Sequence, residues 1–155
     1  MNYDPTYISS IIALVAVVVG PVVSLCIAKK QIKASVVSSS RLQWINRLRD
    51  ELAVLVKDIR HVPPAYAANT ITKAEAVSMH GQITSRAELI KLLINPKEEE
   101  HQKLVPLLSS ASNKVIDSIN KDKGNAAELE VLADKIVAQS QIILKREWER
   151  VKSGY

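Results

Sequence analysis

Residues 8–28 read ISSIIALVAVVVGPVVSLCIA, twenty-one positions without a single charge and almost all apolar. As a helix rising about 1.5 Å per residue, this run covers roughly 30 Å, the hydrocarbon thickness of a bilayer. A cleaved leader has positive charge before its apolar run and a small-residue cleavage site after it. The order here is reversed, with Asp4 ahead of the run and Lys29, Lys30 and Lys33 directly behind it. By the positive-inside rule, the expectation is a single-pass anchor in a cell inner membrane, N-terminus outside and the remaining chain cytoplasmic. Gly20 and Pro21 sit mid-span. There proline removes a backbone hydrogen bond and predicts a kink or hinge, or an irregularity that neighbouring groups satisfy.

The rest of the 155-residue chain is long enough for one small domain with its own core. The whole chain contains no Phe, four glycines and only 4% aromatic residues, so that core must be built from Leu, Ile, Val and Ala. The lone cysteine, Cys26, allows no intramolecular disulfide. A net charge of +5 favours anionic partners without choosing among them. The expected fold is all-α, an N-terminal transmembrane helix followed by a small cytoplasmic helical bundle that self-associates. The expected divisions are residues 1–7 outside, 8–28 in the membrane, 29–40 a basic and Ser-rich joint, and 41–155 the cytoplasmic domain.

Four helical segments follow the anchor. The first spans about 31–60, with Ile45, Leu48, Leu52, Leu55 and Ile59 alternating at three and four residues, a coiled-coil-like seam. Residues 35–40 lower its helicity locally, and Pro63-Pro64 is expected to end it. Thr72 opens the second with Glu75 completing a capping box, and Val77, Ile83, Ala87, Ile90 and Ile94 form its apolar face. Asn95 is read as the cap of the third and Pro96 as its first residue, with Pro106 predicting a kink or break inside it. Gly124, Asn125 and Glu128 mark the junction to the fourth, which runs out near Trp148. No strand pattern competes.

Catalytic signals are missing. The three histidines, His61, His80 and His101, show no metal-ligand spacing with carboxylates or cysteines. No glycine-rich phosphate loop and no nucleophile elbow is present, and Glu98, Glu99 and Glu100 read as charge complementing a helix N-terminus. An enzyme, a metal site and a cofactor are therefore not expected, nor is DNA a partner. The polar density lies between Ser38 and His61. There Arg47 can pair with Glu51, Arg41 and Trp44 can rest at the headgroup interface beside Lys29, Lys30 and Lys33, and parallel copies of the seam would gather arginines around an anion.

The string R-x-x-W-I-N-x-L-R-D-E-L from Arg41 to Leu52, behind an apolar span, resembles a pattern of small bacterial membrane proteins. The layout of the whole chain resembles CRISPR-associated membrane effectors, in which an N-terminal membrane segment precedes a cytoplasmic helical domain that recognises cyclic tetra-adenylate. That resemblance implies antiviral defence, a homo-oligomer such as a tetramer, a cyclic oligoadenylate ligand, and a membrane segment that disturbs the bilayer or opens a pore. It supplies no contact residues, so candidates rest on chemistry. Arginine forks suit phosphates and aromatic rings suit adenine, which singles out Arg60, His61, Tyr66 and Arg86. The same arginines also read as an ordinary solvated surface. The competing reading is a membrane-tethered adaptor or scaffold that holds a protein partner and takes no small ligand.

Overall fold

The computed structural model describes the backbone of residues 5–121 and 126–153, with the side chains of 5–16, 18, 33 and 34 left aside. Four helices make up the fold: α1 (Pro5–Ala67), α2 (Lys73–Leu93), α3 (Glu99–Asn120) and α4 (Ala126–Lys152). No strand occurs among the described residues. Each helix packs against its neighbours in sequence and α4 closes back onto α1, which is the adjacency of a four-helix bundle. Loops of a few residues force neighbouring helices to run antiparallel. Trp44, Leu93 and Glu147 therefore meet at the lower end, while Arg60 meets Glu130 higher up.

Helix α1 is the spine. Its 63 residues are about 95 Å long, and only the part from Arg41 onward lies in the bundle. The described side chains at 17–40 are exposed apart from Ser38, which is half-buried, so about 36 Å of helix over this stretch projects free of packing. The Ser-rich segment 35–40, expected as a joint, is continuous helix, as is the Gly20-Pro21 step. Ser24 spends its hydroxyl on the Gly20 carbonyl at 2.9 Å, a bond within its own helix. Among the described residues no helix is long and apolar enough to cross a membrane. Of the expected span 8–28, the side chains at 8–16 and 18 lie outside the described ones, as does that of Lys33.

The Ile45 to Ile59 seam is buried at 0–4% exposure inside the chain's own bundle. A face buried in the chain's own bundle is not free to join parallel copies, so the seam gives no ring of arginines around an anion. The partner expected for Glu51 also changes, since Arg86 of α2 takes its carboxylate in place of Arg47.

Pro63-Pro64 does not end α1, which continues to Ala67. Val62, Pro63 and Ala65 are buried, and that packing holds the last turn helical against the local preference. The end comes instead at Asn69, which adopts a left-handed conformation (φ 55°). The Thr70 amide donates to the Ala65 carbonyl at 3.0 Å and the Asn69 amide to that of Tyr66 at 2.9 Å, the paired bonds of a Schellman end. At α2 the capping box forms as read: the Thr72 amide donates to Glu75 at 2.7 Å, and the Glu75 amide to the Thr72 hydroxyl at 3.2 Å. Its buried face is Ala76, Ile83, Ala87 and Ile90, whereas Val77 points outward.

Helix α3 starts three residues later than expected. Asn95 accepts the Lys97 amide at 3.1 Å and closes a turn with Glu98, so Pro96 lies before the helix and Glu98 is its cap. That cap makes no side-chain bond to the helix, because its carboxylate is turned toward Arg150. Pro106 does not break α3, and α4 runs past Trp148 to Lys152. The expected junction residues Gly124 and Asn125 lie outside the described residues.

Candidate functional site

The four residues singled out for a ligand are not gathered by the fold. Arg60 is spent on α4, with Glu130 at 3.0 Å and Asp134 at 2.5 Å. His61 is exposed, Tyr66 packs half-buried against the core, and Arg86 pairs with Glu51. Glu51 lies nine residues before Arg60, so Arg86 and Arg60 engage opposite sides of α1. Of the residues expected at a membrane interface, Lys29 and Lys30 are exposed on the projecting helix. Arg41 and Trp44 belong to the bundle: the Trp44 indole donates to the Leu93 carbonyl at 2.7 Å and the Arg41 guanidinium lies 3.8 Å from Glu147.

Those last two residues line a different site, at the point where α1 leaves the bundle. A cavity of about 360 Å³ is bounded by Arg41 and Trp44 of α1, Leu93 to Asn95 after α2, Glu98 and His101 of α3, and Glu147 and Arg150 of α4. Every helix contributes to it or ends at it. Its charges are paired across elements. The Arg150 guanidinium donates through Nη1 to Glu98 at 3.0 Å and also to Glu147, while Arg146 lies 3.8 Å from Glu98. Hydrogen bonding from Arg150 holds the Glu98 carboxyl below the usual carboxylate range, against the opposing effect of burial. Glu147 is only 5% exposed, so its two arginines are what make burying its charge tolerable.

His101 is 3% exposed and stacks obliquely on Trp44, ring centroids 6.3 Å apart. Its Nδ1 accepts the Asn95 amide at 2.8 Å. A nitrogen that accepts carries no hydrogen, so the ring hydrogen of the neutral imidazole is on Nε2. Nε2 has no hydrogen-bond partner among the described residues, and the ring lines the cavity. The turn at Asn95-Pro96 thus presents His101 as a fixed donor.

Glu98, His101 and Glu147 bring their ligand atoms within 4.8 Å of one another, a convergence that the sequence spacing of the histidines did not lead us to expect. Glu98 precedes His101 by one helical turn, and the fold adds Glu147 from α4. Glu98 Oε2, buried without a hydrogen bond, is the atom a cation would satisfy. The other donors do not fit one. Arg150 sits on both carboxylates, and a metal-bound histidine needs its second nitrogen to donate to an acceptor, whereas the second nitrogen here faces an N–H. The arrangement offers hydrogen-bond donors and positive charge to a small anion.

Sequence reasoning named Arg41 and Trp44 but assigned them to the membrane surface, and gave His101 no metal-binding role. The readable signal was the Asn95-Pro96 turn six residues before His101. Glu147 and Arg150 carried none, since only the tertiary packing of α4 places them there. The chain matches no protein-family model, no curated protein and no solved structure.

Proposed function

We propose that this chain is a membrane-anchored sensor-effector of the non-enzymatic kind. Residues 8–28 cross the inner membrane with the N-terminus outside, the helical bundle takes a phosphate-bearing ligand on the cytoplasmic side, and α1 carries the consequence back to the membrane. The observation that supports this reading is the continuity of α1, one helix from Pro5 to Ala67 that serves as both the apolar segment and the core of the bundle. A ligand that favours one arrangement of α1 against α4 then acts on the membrane segment without an intervening flexible joint. The resemblance of the chain's layout to CRISPR-associated membrane effectors supplies the specific ligand, cyclic tetra-adenylate, and the setting, bacterial antiviral defence. A single helix without charged side chains cannot line an aqueous path, so opening one requires a homo-oligomer.

The test is the full chain in liposomes loaded with a self-quenched dye. Release on adding cyclic tetra-adenylate, absent with linear tetra-adenylate, supports the reading. No release from chain that is inserted and folded refutes the effector half. The adaptor reading draws on one observation, the outward apolar residues Val131 (54% exposed) and Ile142 (49%), three turns apart on α4. A defined protein partner retained without nucleotide, and released by charged substitutions at those two positions, would favour it.

A further inference from the structure

We propose that the cavity at the base of the bundle is a phosphate-binding site, in which His101 Nε2–H and the unused N–H groups of Arg150 hold the oxyanion. The inference rests on the sensing half of the function proposed above and is independent of the membrane half. Arg150 makes both of its ion pairs through Nη1, leaving Nε–H and the Nη2 hydrogens as further donors of a planar fork. His101 adds a donor that cannot reverse, because the Asn95 amide holds Nδ1 as the acceptor. His101 Nε2 opens on the cavity and no described group accepts from it, and a phosphate can take bonds from both residues at once. The surrounding charge agrees in sign, since Arg41, Arg146 and Arg150 stand against Glu98 and Glu147.

The source of the phosphate follows from geometry. Arg41 is thirteen residues beyond Ala28, about 20 Å along α1, whereas each headgroup layer is roughly 5–8 Å deep. Lipid headgroups of the membrane that holds the anchor do not reach the cavity, so the ligand is a soluble phosphate ester. The tilted Trp44–His101 pair beside the donors suits an ester with a planar group, a nucleotide before a sugar phosphate. About 360 Å³ accommodates one nucleotide unit.

The test uses the full chain in nanodiscs of zwitterionic lipid, titrated by calorimetry with adenosine 5′-monophosphate, inorganic phosphate and zinc. Far-UV circular dichroism confirms that every variant is folded. Binding of the monophosphate that weakens at least tenfold in His101→Gln and in Arg150→Lys, and is unchanged in Arg60→Gln, bears the proposal out. Arg150→Lys keeps the charge and removes the fork, so it decides the matter should His101→Gln fail to fold. No binding at millimolar monophosphate, equal affinity in the folded variants, or zinc binding that needs His101 would each overturn it. So would loss of monophosphate binding when phosphatidylglycerol replaces the zwitterionic lipid, because a headgroup would then be the occupant. Dye release by cyclic tetra-adenylate that survives in Arg150→Lys removes this site and leaves the sensor-effector reading standing. Monophosphate binding without dye release does the reverse.

Discussion

The rigidity of α1 can be measured with a cysteine the chain already has. Cys26 is its sole cysteine and is exposed on the projecting helix, and Lys57 is 70% exposed on the same helix inside the bundle. Spin labels at Cys26 and at Lys57→Cys are separated by about 46 Å along a continuous helix, a distance within reach of pulsed electron resonance. Labelled chain diluted into excess unlabelled chain keeps distances between copies out of the trace. The expected result is one narrow distribution near that value. Ser39→Pro supplies the contrast, since proline in a helix interior costs about 3 kcal/mol and removes a backbone bond. Residue 39 is exposed, so the bundle should unfold at the same denaturant concentration as before while the distance distribution broadens and shifts shorter. A broad, short distribution in the chain without Ser39→Pro would mean that residues 35–40 are a joint after all. The mechanical argument for the sensor-effector would then fail.

The remaining predictions concern the bundle. Ile59→Ala removes a fully buried side chain and should lower stability by about 2–5 kcal/mol in urea titrations, whereas Leu92→Ala, at 84% exposure, should change it by no more than about 0.5 kcal/mol. Trp44→Phe leaves the Leu93 carbonyl without its donor and should cost about 1–3 kcal/mol unless water replaces it, read from the same titrations. Glu98 is held below its ordinary value of 4.5, so its contribution is present above that pH and lost as pH falls through the lower folded value. Denaturation midpoints should therefore drop on acidification below about pH 5, and less steeply in Glu98→Gln. Arg60→Gln should alter stability by at most about 1 kcal/mol, because the two pairs it breaks, to Glu130 and Asp134, are exposed.

Elements were legible in the sequence wherever the information was local. The capping box at Thr72 is written in four adjacent residues, and the Ile45 to Ile59 spacing reports its buried face directly. What that face packs against is not local, and an amphipathic stripe reads alike whether its partner is a second copy or the same chain three helices later. Pro63-Pro64 misled for the same reason. The preference against helix before proline is small beside the burial of Val62 and Ala65, and the left-handed Asn69 that ends the helix has no strong signature when the residue is not glycine. Within the site, Arg41, Trp44 and His101 could be picked out by type. Their convergence depended on α4 returning Glu147 and Arg150 to the level of Arg41, which no spacing within one segment expresses.

The position of the cavity bears on how any ligand would act. At the far end of the bundle, near Pro63, a ligand would have to shift α1 through the whole packed core to affect its projecting half. Near Arg41 the lever is short, because the Arg41–Glu147 contact and the Trp44–Leu93 hydrogen bond are the first restraints on α1 as it enters the bundle. An anion on the spare donors of Arg150 draws on the same guanidinium charge that Glu147 needs, and a buried carboxylate less well compensated is what burial penalises. Occupancy and the present α1–α4 register are then in competition. That competition is the differential affinity a ligand must have to move an equilibrium between two packings. In Glu147→Gln the carboxylate charge is gone and the competition with it. Monophosphate should bind that variant more tightly than the parent chain, and the distance from Cys26 to a label on α4 should no longer change on binding. Tighter binding with the distance change intact would separate the site from the lever.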